Sequence, residues 1–446
     1  MNAAGILFFL ISAIALMTAP RKWAIIPLLM GVIYITHGQS IDVGSIHLPV
    51  FRLLLTVGLM RIIVRGEGPA GGFGTIDKLM LAMGGWLFIA SFFHEPDAIG
   101  AGPVFITGKI AEISLCYYLV RSFCQDLDDF SSIMAVIAVM LVPIALEMIQ
   151  EKFTKVNMFS QLFGGVRAEV VERGDDLRAR GPFRHAILAG TVGAALFPIM
   201  FGLLRRNRGA AMIGMIGCLM MVIFCASSGP ILSLLCAIMG LCLWKFRHLM
   251  GWVRWSIPFG CLVLQMVMEK PFWFIIGRLS IGGSTGWHRS QLIDSAIHNF
   301  DEWWAIGTDH TRHWMPTGVT YDPNATDITN YYIAYGVMGG LLAMLLLIAM
   351  AWVAFKWVGR AIDEIPEDDE SGDRFMIWCM GSSLFAHVAS SISVAYYDQS
   401  VFFFWFSIAT IASIYMTREE RVTESLPEET EHPGRDPASP LPWSTS

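Results

Sequence analysis

Apolar residues in this chain fall into long runs, and polar residues gather in the gaps between them. A bilayer-spanning helix needs about 20 mostly apolar residues, with a range of about 17–25. About 13 runs fit that template. Their centres lie near Phe9, Met30, Leu55, Trp86, Ser114, Val139, Gly193, Gly217, Leu235, Leu262, Leu345, Leu384 and Phe406. The second run is short and weak. The first, 6–17, lacks the basic n-region of a signal peptide and other runs follow it directly, so it is expected to be a retained helix. The pattern predicts an all-α fold: a polytopic integral membrane protein with about 12–13 transmembrane helices and two large outer-face loops. The membrane domain is expected over 1–416. The charged, Pro/Ser-rich stretch 417–446 is expected to be a disordered cytoplasmic tail.

Composition supports the same class. Of 446 residues, 54% are hydrophobic and 15% charged, with a mean hydropathy of +0.55. Soluble domains are nearer one quarter charged. A net charge of -6 gives no reason to expect nucleic-acid binding. All eight cysteines sit in or beside apolar runs, which implies neither a disulfide framework nor a cysteine zinc site.

Lys and Arg in the short loops set the orientation. Arg205-Arg206-Asn207-Arg208 is the strongest cytoplasmic signal. Alternating from it puts Lys245 and Arg247, Lys356 and Arg360, and Arg418 and Arg421 inside. In the other direction Arg121, Arg61, Arg65, Lys78, Arg21 and Lys22 also fall inside. The loops 150–185 and 269–332 then face outward. Within the spans, Lys109 and Glu112 are three apart on one helix and could pair. Arg52, Glu147 and His387 are the other ionisable residues there, and intramembrane charges mark functional sites by default.

The second loop is about 60 residues long and holds four of the 11 histidines and five of the 15 tryptophans. A loop of that length is usually functional or disordered, and its Trp, Phe, Ile and Tyr content argues for order. It contains Arg278, Arg289 and Arg312, with His288, His298, His310 and His313. Ile293, Ala296, Ile297 and Phe300 make a helical apolar stripe that could lie on the bilayer. Histidine suits proton transfer near neutral pH, so His310 and His313 are candidate bases.

The first loop ends in Arg178-Ala179-Arg180-Gly181-Pro182-Phe183-Arg184-His185. This is an arginine cluster on the face where positive charge is disfavoured. Arginine's planar fork matches phosphate oxygens, so the cluster points to an anionic partner such as a lipid phosphate or pyrophosphate. The plainer reading is surface charge balanced by Glu169, Glu172, Asp175 and Asp176. His310-x-x-His313 with Asp309 resembles a metal ligand set, but no further ligand is fixed by spacing, so no metal is expected. No P-loop or dinucleotide fingerprint is present, and no cofactor is expected.

Several of these runs together resemble the bacterial O-antigen ligase and O-antigen polymerase families. The segment 178–183 is similar to the family's Arg-Ala-x-Gly-x-Phe. Ser227-Ser228-Gly229 opening a helix is similar too, as are Gly277-Arg278 followed by Trp287 and Gly307. The last likeness is Asp327-Ile328-Thr329-Asn330-Tyr331-Tyr332 before Gly336 and Gly339-Gly340. The layout of many helices, a late large outer loop and a few closing helices matches over most of the chain. The resemblance implies a multi-pass glycosyltransferase of the bacterial inner membrane, inverting and metal-independent. Its donor would be a polyprenyl-pyrophosphate-linked glycan, its acceptor a glycan or lipid-linked glycan, and its surroundings membrane lipids. Arg178, Arg180, Arg278, Arg289 and Arg312 would bind substrate. The family's usual His-Asn pair is replaced here by Thr326-Asp327, so Asp327, His310 or His313 would serve as the base. The rival class is a transporter or flippase of a lipid-linked or anionic substrate, for which internal repeats and mid-span polar groups are the signature. No clear repeat is visible. A non-catalytic component of a polysaccharide export complex is the third alternative.

Overall fold

Every predicted apolar centre falls inside a helix. The computed structural model describes residues 1–425, apart from 37, 44–45, 97–99, 166–170, 174–175, 279–285, 319–322 and 368–369. The chain begins with α1 (Ala3–Thr18), α2 (Ile25–Tyr34), α3 (Val50–Arg65), α4 (Thr75–Ser91), α5 (Pro103–Phe123) and α6 (Leu127–Thr154). A short α7 (Met158–Phe163) leads to α8 (Ala186–Gly202), α9 (Arg208–Phe224), α10 (Ser228–Cys242) and α11 (Met250–Val267). The second long loop folds in part as α12 (Ile275–Arg278), α13 (Gly286–His298) and α14 (Phe300–Trp303). The chain closes with α15 (Tyr331–Asp363), α16 (Asp373–Ser390) and α17 (Gln399–Ser425).

The fold is 76% helical with almost no strand. Among the described residues, two small antiparallel strand pairs depart from the all-helix expectation. One pairs β1 (Ser40–Val43) with β2 (Ile46–Pro49), and the other pairs β3 (Val171–Arg173) with β4 (Asp176–Arg178). Among the described residues, six helical stretches are long and apolar enough to cross a membrane: Pro103–Phe123, Leu127–Thr154, Ala186–Arg205, Ser228–Val267, Tyr331–Asp363 and Gln399–Glu419. The helices α1 and α9 are apolar but shorter. The weak second run became α2, whose ten residues are about half of what a straight span needs.

The helices differ sharply in how far they are enclosed. The helix α8 is apolar all round and buried on nearly every side, as such a helix must be. It achieves this through small residues: a Cβ at Gly193 would lie 2.9 Å from the Cys218 carbonyl oxygen, and one at Gly190 would lie 2.8 Å from the Pro230 ring. The start of α17 is equally enclosed, with Phe402, Phe403, Phe404, Trp405 and Phe406 all buried. The helix α11 is the opposite case. None of its residues is buried, and Trp252, Trp255, Phe259 and Met266 are largely exposed.

Polar contacts divide the bundle into two ends. At one end Arg21 bonds Asp129 at 3.1 Å, Arg61 holds Glu67 at 2.8 Å, and Arg206 bridges Asp128 at 2.7 Å and Asp373. Arg121 and Asp77 form a fully buried pair at that same end. At the other end the first residues of the chain, the β1–β2 region and the 155–185 segment meet. Asn2 donates to the Leu162 carbonyl at 2.8 Å, Thr36 to that of Gly164 at 2.6 Å, and Gln399 to that of Pro182 at 2.9 Å. His94 and the backbone of Glu95 both bond Asp309 there, at 2.6 and 2.8 Å.

The helix α15 is broken at Gly339 and Gly340, where Gly340 takes a φ of 73°. A side chain at Gly340 would run into the Ala305 carbonyl, so only glycine fits. The groups freed by the break are met from elsewhere. Trp86 Nε1 donates to the Gly339 carbonyl at 2.6 Å, the Leu341 N–H to that of Trp304 at 2.8 Å, and the Thr308 N–H to that of Val337 at 3.0 Å. The break is therefore the seat of the 304–308 segment. At the C-terminus, α17 runs through the stretch expected to be disordered from 417 onward and ends at Ser425. Its Arg and Glu residues are good helix formers and extend a helix already begun. The rest of the predicted tail, 426–446, lies outside the described residues.

Candidate functional site

The arginine segment of the first loop is built into the protein interior. Arg178, at the end of β4, is buried, as are Ala179, Arg180 and Phe183. Two carboxylates one turn apart on α6 lie against this segment, and Glu151 holds its backbone. Glu151, fully buried, accepts the backbone N–H groups of Arg180 and Gly181 on Oε2 at 2.9 and 2.8 Å. Its Oε1 lies 3.9 Å from Arg180 Nε. Glu147 accepts the Met158 N–H at 3.2 Å. Asn157 Nδ2 donates to the Gly181 carbonyl at 2.8 Å, and the Ala179 N–H reaches the Phe224 carbonyl at the end of α9 at 3.1 Å. Gly181 has a φ of 57°, and a Cβ there would meet Glu147 Oε2 at 3.3 Å. Glycine is thus required both by conformation and by the closeness of a carboxylate. Glu169 and Asp175, two of the residues expected to balance the arginines, lie outside the described residues.

His185 caps α8, its Nδ1 accepting the Ile187 N–H at 3.1 Å. Burial, with Arg178 and then Arg180 nearby, pushes its pKa down to about 4. The imidazole is therefore neutral, with its proton on Nε2. It can donate a hydrogen bond but has no lone pair left to take a proton.

The second loop adds Arg289. It lies buried on α13, and a Cβ placed on Gly229 would lie 3.6 Å from Arg289 Nη2 and 3.9 Å from Ile187 Cγ2. Gly229 and Ile187 belong to the first turns of α10 and α8. The first-loop arginines, Arg289 and the N-terminal ends of two long helices thus share one neighbourhood. Helix N-termini carry partial positive charge and unpaired N–H groups, so the neighbourhood is strongly anion-attracting. His288, next to Arg289, donates from Nε2 to the Asp327 carbonyl oxygen at 3.2 Å. Burial raises the Asp327 carboxyl above its usual range, and His288 opposes the rise.

The remaining expected site residues sit elsewhere. Arg278 is exposed at the end of α12, which packs on α13. Arg312 donates to the carbonyls of Met315, Gly318 and Pro316 at 3.2, 2.9 and 2.7 Å, tying off its own turn. His313 Nε2 lies 2.9 Å from Glu302 Oε1, whose other oxygen accepts from Trp314 Nε1 at 2.9 Å. His310 is exposed, 3.9 Å from Glu95. Asp309 is engaged by His94, so the three possible metal ligands 309, 310 and 313 point to three different partners. Among the described residues no group of three or more His, Cys, Asp or Glu side chains is placed to hold a metal ion.

The apolar stripe expected on α13 is split. Ala296 is buried with Leu292, Trp303, Trp314, Met315 and Ile333, while Ile297 and Phe300 are exposed. The helix turns its Arg289–Leu292–Ala296 face inward because the tryptophans of its own loop fill the space beneath it. His185, His288 and the supporting Glu151 were not singled out as site residues from the sequence. The usable signal for His185 was its place at the end of the arginine run. Glu151 has no local signal, since its partners are 29 and 30 residues away. No family model matches the chain, and no curated protein matches it significantly.

Proposed function

We propose that this chain is a multi-pass inner-membrane glycosyltransferase of the O-antigen ligase or polymerase type, working at the outer face. The observation that carries the reading is the convergence of Arg178, Arg180 and Arg289 on the first turns of α8 and α10. A pyrophosphate is the ligand that such a concentration of positive charge and N–H donors suits best. Membrane insertion is supported by the apolar exposed surface, and the outer-face orientation by the segregation of the predicted inside arginines to one end of the bundle.

In this reading the polyprenyl pyrophosphate of the donor lies on the arginines, with the His185 Nε2–H as a further donor. Asp327, whose backbone carbonyl accepts from His288, takes the proton of an acceptor sugar hydroxyl. The hydroxyl oxygen bonds to the anomeric carbon as the bond from that carbon to the phosphate oxygen breaks. The leaving pyrophosphate keeps the electron pair, and its charge is met by the arginines. Electrostatic stabilisation of this kind is commonly the largest catalytic contribution. A carboxyl raised by burial suits the base role, because a base works best with a pKa near the working pH. The resemblance to the family is what names the glycan donor and acceptor.

The experiment is transfer in proteoliposomes holding a polyprenyl-pyrophosphate-linked glycan and a lipid-linked acceptor. Wild-type protein should release polyprenyl pyrophosphate in step with product. Donor appearing on the opposite leaflet without product would favour the transporter reading instead, and the break in α15 would be its natural hinge.

A further inference from the structure

His94 stands in the turn that follows α4, and only 2% of its side chain is exposed. Both ring nitrogens meet oxygen. Nδ1 lies 2.6 Å from Asp309 Oδ1, and Nε2 lies 3.1 Å from the Ile306 carbonyl oxygen. A neutral imidazole has one N–H and one lone pair, so it can donate to only one of these oxygens. A carbonyl oxygen cannot donate, so the Nε2 bond requires a proton on Nε2. The Nδ1 bond then requires a second proton, because a ring lone pair and an ionised carboxylate repel at that distance. The other carboxylate oxygen, Oδ2, accepts the Glu95 N–H at 2.8 Å. Whichever partner holds the second proton, the arrangement contains one proton more than a neutral histidine beside an ionised aspartate.

This contact joins two distant pieces of chain. His94 and Glu95 belong to the α4–α5 connection, and Ile306 and Asp309 to the second outer loop. The loop segment is already pressed against the break in α15. Gly307 has a φ of 97°, and a Cβ there would collide with the Val337 carbonyl, which accepts the Thr308 N–H at 3.0 Å. Just beyond Asp309, the N–H groups of Thr311 and Arg312 both donate to the Asn324 carbonyl at 2.9 Å. The Thr311 hydroxyl accepts the Thr326 N–H at 3.1 Å, and the next residue is Asp327. A continuous set of contacts thus runs from His94 to the candidate base.

We propose that His94 and Asp309 form a proton-dependent latch, which holds the second outer loop on the α4–α5 connection and keeps Asp327 in place. Opened to water, an imidazole is neutral above about pH 6.5. Above that pH, closing the latch takes up one proton. The latch is therefore fully stabilised in acid and weakens as pH rises. One proton allows at most about a tenfold change in the closing equilibrium per pH unit. Among the described residues, the other titratable groups near this contact are engaged elsewhere. Glu95 and His310 face each other at 3.9 Å, and both are more than half exposed, so solvent screens them. Glu302 of α14 is taken by His313 and Trp314, and Lys109 of α5 turns to Met338 Sδ at 3.3 Å. Asp97 lies outside the described residues. The latch is independent of the glycosyltransferase reading, and only its consequence for Asp327 rests on that reading.

The test is amide hydrogen exchange of the full-length protein in detergent micelles, read by mass spectrometry from about pH 5.5 to about pH 8.5, on either side of the ordinary histidine range. After correction for intrinsic exchange, wild-type protection of the 304–313 peptide should fall about tenfold or more across that range. Protection of the 323–330 peptide should fall with it. His94→Gln cannot take the second proton and should show low protection at both ends of the range. His310→Gln should keep the wild-type dependence. A flat wild-type profile, a pH dependence that survives His94→Gln, or one that disappears in His310→Gln overturns the latch. The wild-type and His310→Gln profiles decide the matter even if His94→Gln does not fold. A fall at 304–313 with 323–330 unchanged overturns the link to Asp327. Exchange needs no glycan donor or acceptor, so a protein inactive in transfer that shows the expected profile would count against the glycosyltransferase reading alone.

Discussion

Glu151 and Arg180 are joined twice: the carboxylate Oε2 accepts the Arg180 backbone N–H at 2.9 Å, and Oε1 lies 3.9 Å from the Arg180 Nε. A buried carboxylate of α6 thus fixes the backbone from which the arginines project. Removing one partner of such a buried charged network costs about 3–5 kcal/mol. Glu151→Ala should lower thermal stability by that order. Glu151→Gln keeps an acceptor for the two N–H groups and should fold. Its transfer rate should fall on the order of tenfold to 100-fold as the arginines lose their placement. Thermal unfolding and transfer at matched membrane expression check both. A Glu151→Ala protein as stable as wild type would contradict the account.

The raised Asp327 carboxyl gives a pH prediction. A general base must be deprotonated to act, so kcat/KM should rise with pH through a pKa above the usual carboxylate range, and fall as the group is protonated at lower pH. Asp327→Asn should remove that limb together with most of the activity. Because His288 opposes the rise, His288→Ala should move the limb to higher pH. A pH profile of the His288→Ala protein shifted to lower pH would contradict this assignment.

Orientation is open to chemical labelling. Single cysteines at Ser160 and Thr317, in a cysteine-free background, should react with impermeant thiol reagents added outside. Cysteines replacing Arg205 or Gly372, at the opposite end of the bundle, should react only after the inner face is opened. The reverse pattern would place the arginine site on the wrong side for an outer-face enzyme.

His310 and His313 are exposed and bound to Glu95 and Glu302. Alanine at either should change transfer only a few-fold, about the value of a surface ion pair. Strong chelation should leave turnover unchanged. Loss of turnover restored by a divalent ion, or a large defect in either histidine variant, would bring the 309–313 turn into the chemistry.

The apolar centres were legible in the sequence because a span must be long, continuous and apolar, and those are local properties. The helix start at Ser228 was legible from the Ser227-Ser228-Gly229 run, and the 178–183 segment stood out by its arginines. Long-range pairing was not. Lys109 and Glu112 have pairing geometry on one helix, yet Arg52 of α3 takes Glu112, which no local pattern reveals. Arg312 reads as a binding residue beside two histidines, but three backbone carbonyls of its own turn absorb it. The convergence of Arg289 with the first loop depends on how α13 rotates. That rotation is set by Trp303 and Trp314 beneath it rather than by the stripe written along it.

The central claim is that buried arginines hold a pyrophosphate leaving group. The most direct measurement is glycan transfer by Arg178→Ala and Arg289→Ala proteins against Arg173→Ala and Arg312→Ala at matched expression. Losing one electrostatic donor in a partly dry site costs on the order of 100- to 1000-fold in rate. The first two variants should show that loss and be only partly rescued by lysine, which keeps the charge but not the fork. Arg278→Ala, at the exposed end of α12, reports whether that arginine also reaches the donor. Arg173→Ala should be nearly silent, and Arg312→Ala should lower stability more than rate. Near-normal transfer by both Arg178→Ala and Arg289→Ala would contradict the account.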